Sequence, residues 1–207
     1  MKNLTDLLFR GSETRGFDYK KAESWDSCKF GLVKDILAMS NTQDGGTIVL
    51  GVSQNDVTGQ FEYLGFQDDE QLKDYDVTKV SDFTNTFANP EVNIEIFADE
   101  YENKKYIFII VKEFKNIPII CKKNSSNNSE LKNGCVYIRT DSAKSIPITS
   151  QGIESVTEMR KLLDLAITKQ KEELLENIRR IVGTEPKYAV SAEQLYQKEK
   201  QIVEKEF

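Results

Sequence analysis

The stretch ILAMSNTQDGGTIVLGV, residues 36–52, joins the end of a helix to a buried strand through a turn that contains two glycines. The helix is predicted to begin near Asp26, a good N-cap residue, and its apolar side chains recur at helical spacing up to residue 40. Residues 47–52, TIVLGV, form a continuous apolar run that is rich in β-branched side chains. Such a run is typical of a central strand that is buried on both faces.

Strands and helices are also predicted on both sides of this stretch. Upstream, residues 11–20 indicate a loop that enters a strand at Phe17. Downstream, the patterns predict strands at VNIEIFA (92–98), KKYIFIIVKEF (104–114), IPIIC (117–121) and GCVYIRT (134–140), a helix within 68–88 and an acidic hairpin loop at 99–103. From residue 150 to 182, the apolar spacing predicts one long amphipathic helix or two shorter ones.

These elements predict an α+β fold. We expect a mixed sheet of about five to seven strands with flanking helices, followed by a helical C-terminal extension. The predicted domain spans residues 1–150, and the extension spans 151–207. The extension would serve self-assembly into a homo-oligomer or the binding of a partner.

The composition excludes several classes of site. The chain has no histidine, which excludes Ser-His-Asp triads, Cys-His pairs and His-ligated zinc. Cys28, Cys121 and Cys135 contain no C-x-x-C pair, so we expect buried thiols in a reducing compartment. No apolar run reaches signal-peptide length or the roughly 18 residues of a membrane span, so we expect a cytoplasmic protein without a membrane partner.

Charge is segregated along the chain. The net charge is −6, but residues 56–102 hold two basic and thirteen acidic side chains, whereas residues 103–149 hold nine basic and three acidic ones. The second segment, of net charge +6, could give the protein a cationic surface in spite of its acidic total. The alternative is that acidic helices and basic strands alternate on a solvated surface.

Glu13 and Asp18 are candidate site residues beside Lys20. The period of a strand places the Asp18 and Lys20 side chains on one sheet face and Tyr19 on the other. Two carboxylates beside a lysine suit a hard divalent cation and a phosphate, although chance pairs are common in a chain with 34 acidic residues. The turn at 44–46 has neither a P-loop nor a dinucleotide fingerprint, so no nucleotide cofactor is expected.

Four blocks taken together resemble the Schlafen-type AlbA_2 domain. The central block carries the family's Ala-x-x-Asn-Thr-x-Gly-Gly-x-x-x-x-Gly-Val pattern with one extra residue between Thr42 and Gly45. The blocks are GSETRGFDYK (11–20), ILAMSNTQDGGTIVLGVSQNDVTG (36–59), NIPIICKK (116–123) and GCVYIRTDSAKSIPIT (134–149). The resemblance covers about residues 1–168.

The resemblance implies a nucleic-acid-binding domain, and in several members a metal-dependent endoribonuclease that cleaves structured RNA such as tRNA. Glu13 and Asp18 match the two acidic residues of the opening motif, and Lys20 matches its lysine. The third family carboxylate is replaced by Ser53, and the nearest acidic residue is Asp56. A catalytic site would therefore hold Mg²⁺ or Mn²⁺ on Glu13, Asp18 and Asp56, with Lys20 at the scissile phosphate.

The same resemblance implies that RNA or DNA lies along cations of the basic segment. The expected contacts are Lys20, Lys122, Lys123, Lys132, Arg139 and Lys144. We expect folding to place this segment on the same face as Glu13 and Asp18. Each cation has an ordinary alternative: Arg139 would pair with an acidic residue, and the loop lysines would only be solvated. Two other functions stay open, a binding module without catalysis and a self-assembling scaffold.

Overall fold

The structure, a computed structural model, describes residues 4–126, 130–140 and 148–182. Its helices are α1 (Leu4–Leu8), α2 (Trp25–Ser40), α3 (Asp69–Lys73), α4 (Val77–Asn85) and α5 (Val156–Val182). Its strands are β1 (Phe17–Lys20), β2 (Gly46–Leu50), β3 (Val52–Gln54), β4 (Phe61–Tyr63), β5 (Ala88–Asn89), β6 (Ile94–Tyr101), β7 (Lys104–Val111), β8 (Ile120–Cys121), β9 (Tyr137–Arg139) and β10 (Ser150–Gly152). The chain divides into two compact units, residues 1–167 and 168–207.

The main sheet has four strands in the order β1-β2-β7-β6. β1 and β2 are parallel and joined through α2, whereas β7 is antiparallel to both β2 and β6. The predicted α+β class and mixed sheet are confirmed. The expected five to seven strands do not share this sheet, because the shorter strands pair separately as β3-β4, β5-β8 and β9-β10.

Strand β2 is buried on both faces of the sheet, as the apolar run TIVLGV predicts. Ile48 and Leu50 belong to the larger core with α2, whereas Val49 belongs to a second core that α1 covers. The strand ends at Leu50 because Gly51 adopts φ 108, and a side chain there would lie 2.9 Å from the ring of Tyr106. The chain then starts a separate hairpin.

Two predicted boundaries shift for local reasons. The acidic hairpin loop expected at 99–103 shortens to two residues, because Glu102 and Asn103 both take positive φ, as a tight hairpin turn requires. The C-terminal helix begins at Val156, since residues 150–152 form β10 beside β9. No helix in the described part of the chain is long and apolar enough to cross a membrane.

The turn between α2 and β2 brings its backbone close to the end of β7. Asp44 and Gly45 have φ 66 and 69, and the Asp44 N–H donates to Glu113 Oε2 at 2.9 Å. A Cβ atom on Gly45 would overlap the carbonyl oxygen of Val111 and lie 2.8 Å from the backbone nitrogen of Glu113. Gly45 therefore allows the turn to pack closely against the end of β7.

We expect Gly45→Ala to lower the free energy of unfolding by more than Gly59→Ala does. Both glycines have φ 69, but a Cβ on Gly59 would have only Gln54 Nε2 near it, at 4.0 Å. Gly59→Ala therefore measures the left-handed backbone penalty of about 1–2 kcal/mol. Gly45→Ala adds the overlap with β7. Urea unfolding of both variants checks this, and equal losses would contradict it.

Candidate functional site

Asp18 and Lys20 lie side by side on the α2 face of β1. Lys20 Nζ is 2.7 Å from Asp18 Oδ2, whereas the Tyr19 ring lies in the core on the opposite face. The alternation predicted from the sequence therefore gives the correct neighbours. Asp18 is only 2% exposed, so its carboxylate is held inside the protein.

Arg139 supplies the second cation that contacts Asp18. Its Nη2 donates to Asp18 Oδ1 at 2.9 Å, and its Nη1 donates to Ser150 Oγ at 3.3 Å. The residue is 1% exposed, and its Nε finds no hydrogen-bond partner among the described residues. The alternative in which Arg139 pairs with an acidic residue is thus the one realised in the fold.

Asp35 completes a buried ion network that we define as Asp18, Lys20, Asp35 and Arg139. Its Oδ2 lies 3.2 Å from Lys20 Nζ, and its Oδ1 lies 3.6 Å from Arg139 Nη1. Sequence reasoning missed this residue. The available signal was its position in α2, where it lies among buried apolar residues. Water cannot solvate a carboxylate there, so the protein must supply a cation.

The network keeps Lys20 charged. Burial by itself would lower the pKa of Lys20, but the negative charges of Asp35 and Asp18 outweigh it and raise the pKa above its ordinary value. The Lys20 side chain remains 40% exposed, so one end of the network reaches solvent.

Asn41 positions the strand that carries Arg139. Its side-chain amide donates to the carbonyl oxygens of Ile119 and Tyr137, both at 2.9 Å, and its Oδ1 accepts from the Ile119 N–H at 2.7 Å. A buried amide with these three bonds fixes the end of α2 to two distant segments. The asparagine of the central motif therefore has a structural role here.

We expect Arg139→Met to cost about 3–5 kcal/mol of stability, because it leaves Asp18 and Asp35 buried with Lys20 alone. Arg10→Met is the matched control, since Arg10 is exposed and lies over the Phe17 ring. Urea unfolding followed by circular dichroism measures both. A loss no larger than that of the control would refute the role of the network.

Glu13 accepts a backbone hydrogen bond at the free edge of β1. β1 is the end strand of the main sheet, and Glu13 Oε1 accepts a hydrogen bond from the Tyr19 N–H at 3.1 Å. Burial raises the pKa of Glu13, and the charge of Asp18 raises it further, while the Tyr19 N–H opposes both. Folding with an ionised Glu13 carboxylate therefore costs free energy.

We expect Glu13→Gln to stabilise the protein at neutral pH, since glutamine still accepts the Tyr19 hydrogen bond without the charge. The raised pKa means that the folded wild type holds its proton more tightly than the unfolded chain does. Wild-type stability therefore falls as pH rises above the ordinary value of 4.5. The gain in melting temperature should vanish by about pH 3.5, where both states are protonated. Glu154→Gln, at an exposed site, controls for general charge effects.

Asp56 does not join the two carboxylates of the opening motif. It lies exposed in the turn between β3 and β4, and Ser53 is half-buried on β3. Across residues 4–126, 130–140 and 148–182, no group of three or more acidic or cysteine side chains is close enough to hold a metal ion. Asp18 already contacts two cations, and Glu13 is bonded to backbone. The residues present do not fit a three-carboxylate Mg²⁺ or Mn²⁺ site.

Three of the predicted cations lie on one loop, which we call the lysine loop and define as residues 121–126 and 130–135. Its arms are joined by hydrogen bonds from Ser125 N to Leu131 O at 3.0 Å and from Asn133 N to Asn124 Oδ1 at 2.7 Å. The exposed lysines are Lys122, Lys123 and Lys132. They form no ion pair with any described residue. Lys144 lies outside the described residues.

A cleft of about 450 Å³ borders the lysine loop. Lys20, Lys21 and Lys34 line it, together with Glu130 of the loop. Lys21 pairs with Glu23 at 2.6 Å, whereas Lys34 makes no ion pair in the part of the chain that is described. Glu23 and Asp35 line the cleft as well, so it is mixed in charge where it borders the lysine loop.

The basic segment divides between two environments. Lys105 pairs with Asp69 at 2.7 Å and Lys112 with Glu95 at 3.0 Å, so part of its charge meets the acidic segment. Arg139 instead contacts Asp18. Pairing between acidic and basic side chains therefore accounts for part of the charge pattern, and a cationic surface from the basic segment stays a prediction.

A family model described as Schlafen, AlbA_2 matches residues 13–147. The chain belongs to this family. The matched range includes Glu13, the buried ion network and the lysine loop, and it confirms the resemblance seen in the sequence. Membership of the Schlafen AlbA_2 family associates the chain with nucleic-acid-related domains.

Two solved structures are similar to this chain. The chain is similar to the DIP2311 protein of Corynebacterium diphtheriae, with 14% identity and a TM-score of 0.45 over 72% of this chain and 25% of that one. It is also similar to the N-terminal domain of a protein from Nitrosomonas europaea related to the ATP-dependent DNA helicase RecG. That match has 19% identity and a TM-score of 0.47 over 71% of this chain and 95% of that one. This chain thus spans about a quarter of the length of the first protein. No curated protein matches it.

Proposed function

We propose that this Schlafen AlbA_2 chain binds the phosphate backbone of RNA or DNA and does not cleave it. The observation that carries the proposal is the lysine loop, whose three exposed lysines have no ion pair among the described residues. When exposed cations of a protein contact phosphates, counterions are released from the nucleic acid, and this release favours binding. Lys34 in the adjoining cleft, which makes no ion pair with a described residue, adds one more cation beside the loop.

Recognition would depend on charge and backbone shape. Phosphate contacts orient a nucleic acid and carry no sequence information by themselves. Tyr137, an aromatic residue near the loop, is buried, and its hydroxyl is bonded to the backbone at Lys132 and Glu130. It therefore supports the loop and does not offer a face for base stacking. A structured RNA such as tRNA and duplex DNA are both substrates to be compared.

The rival function is metal-dependent endoribonuclease activity, which the family resemblance implies for some members. It would need Glu13, Asp18 and a third carboxylate as free oxygen ligands. In the fold, Lys20 and Arg139 occupy the Asp18 oxygens, and Asp56 stands apart. The occupied Asp18 oxygens and the missing third carboxylate favour binding over cleavage.

We expect the triple change Lys122→Gln, Lys123→Gln, Lys132→Gln to weaken nucleic-acid binding and flatten its salt dependence. Fluorescence anisotropy with a labelled RNA hairpin and a labelled DNA duplex, at several salt concentrations, measures both. For duplex DNA, the slope of log affinity against log salt should fall by about 0.9 for each phosphate contact that is lost.

The matched control is Lys79→Gln, Lys105→Gln, Lys112→Gln, which removes the same formal charge from lysines paired with Asp74, Asp69 and Glu95. An equal fall in slope for the control would show that only net charge matters. The same bound samples, incubated with Mg²⁺ or Mn²⁺, should keep their substrates intact. A cut product that disappears in Glu13→Gln would replace the binding proposal with the nuclease.

Homo-oligomerisation through residues 151–207 stays a prediction. Large apolar side chains are exposed on the described part of this segment, and they are Val156, Leu163, Ile167, Leu174, Leu175, Ile178, Ile181 and Val182. Light scattering of the full chain and of a variant with Leu174 and Ile181 changed to Gln would test it, and an unchanged mass would remove the self-assembly role.

A further inference from the structure

Cys121 and Cys135 face each other at the base of the lysine loop. The Cys121 N–H donates to the Cys135 carbonyl oxygen at 2.8 Å, and the Gly134 N–H donates to the Cys121 carbonyl oxygen at 2.7 Å. Gly134 has φ 78. This is the pattern of a glycine bulge, in which two residues of one strand oppose one residue of its neighbour. Gly134 and Cys135 are the two residues, and Cys121 is the one that they oppose.

The placement of the two cysteines suits a disulfide. The two backbone hydrogen bonds hold Cys121 and Cys135 at about the separation of neighbouring strands, roughly 5 Å. That separation lies within the range of Cα distances that disulfides span. Both thiols are free, with Cys121 buried and Cys135 half-buried.

The surroundings of the two sulfur atoms agree with this geometry. Burial is the main reason that the pKa of Cys121 is raised, and the nearby charge of Cys135 raises that pKa further. Cys121 Sγ donates to the Lys123 carbonyl oxygen at 3.2 Å, which links the pair directly to the lysine loop. The third cysteine differs, since Cys28 Sγ lies 3.1 Å from the Tyr75 hydroxyl.

We propose that Cys121 and Cys135 form an oxidisable pair whose disulfide holds the two arms of the lysine loop together and strengthens nucleic-acid binding. The inference rests on the proposed function. Lys122 and Lys123 follow Cys121, and Lys132 precedes Cys135, so the cross-link closes a ring that contains all three. The arms are already hydrogen-bonded in the reduced fold, so the bond restricts their motion further, while the hydrogen bond from Cys121 Sγ to the Lys123 carbonyl oxygen is lost.

The oxidation is a two-electron step with a peroxide as the oxidant. The half-buried Cys135, as its thiolate, attacks one peroxide oxygen, the O–O bond breaks, and a sulfenic acid and water result. Cys121, as its thiolate, then attacks the Cys135 sulfur, the S–O bond breaks and a second water leaves. In total, two thiols and one hydrogen peroxide give one disulfide and two waters. A dithiol reductant reverses the step.

The test compares Cys28→Ser with Cys28→Ser/Cys121→Ser and Cys28→Ser/Cys135→Ser, each as the full chain. Hydrogen peroxide treatment followed by intact-mass and peptide mass spectrometry should show the loss of two hydrogens in Cys28→Ser only, within the peptides that carry Cys121 and Cys135. Thermal unfolding of the oxidised Cys28→Ser protein should shift upward, and a dithiol should reverse the shift. Neither double variant should respond.

Binding is measured on the same samples by anisotropy with the labelled RNA hairpin and DNA duplex. We expect oxidation to tighten binding by about two- to tenfold in Cys28→Ser, because a loop that is already held together loses less conformational freedom on binding. The double variants should bind equally before and after treatment.

The outcomes separate the two proposals. If no disulfide forms, or if it forms and the affinity does not change, the oxidisable pair is refuted. If neither reduced nor oxidised protein binds nucleic acid, while the disulfide and the thermal shift are present, the proposed function fails and the pair remains only as a stabilising cross-link. Tighter binding confined to Cys28→Ser supports both.

Discussion

The ion pair between Arg139 and Asp18 is the interaction on which the rest of the site depends. A guanidinium that is 1% exposed must be compensated by the protein, since water cannot reach it. The compensation comes from Asp18 on β1 and Asp35 on α2, while Arg139 itself lies on β9. This requirement ties the first strand of the domain to a segment that follows it by more than a hundred residues.

The pair also changes what the opening acidic motif can do. Oxygen ligands that could hold a divalent cation instead contact the ammonium of Lys20 and the guanidinium of Arg139. Glu13 is used at the edge of β1, where an unpaired N–H would otherwise invite pairing with another strand. Since Ser53 brings no third carboxylate, the acidic residues serve the fold, and the cations that remain for a ligand are the lysines.

The overall charge of −6 does not show which lysines are paired and which are not. Lys105 pairs with Asp69 of α3 and Lys112 with Glu95 of β6, and exposed pairs of this kind contribute little to stability. In the lysine loop, Lys122 and Lys132 keep their charges for solvent or a ligand, whereas the Lys123 ammonium lies over the Phe87 ring, 5.7 Å from its centroid. Because screening weakens the influence of charges beyond about 8 Å, a polyanion at this loop would respond mainly to the loop's own charges, the three lysines and Glu130.

The sequence by itself determined the elements whose signals are local. Helix α2, strand β2 and the β6-β7 hairpin follow from apolar spacing, and the side-by-side placement of Asp18 and Lys20 follows from the period of a strand. The family follows from an ordered set of motifs around Asn41 and the glycines of the turn. Each of these signals is contained within a few dozen residues.

Only the tertiary structure decided which partners these residues have. Arg139 finds Asp18 across 121 positions, and Asn41 finds Ile119 and Tyr137 across 78 and 96 positions. In the sequence, Asp35 is an ordinary acidic residue of a helix, and only the fold shows that it is buried against Lys20 and Arg139. Spacing rules describe neighbours along one element, whereas these contacts arise from packing between elements, where the cost of burying a charge selects its partner.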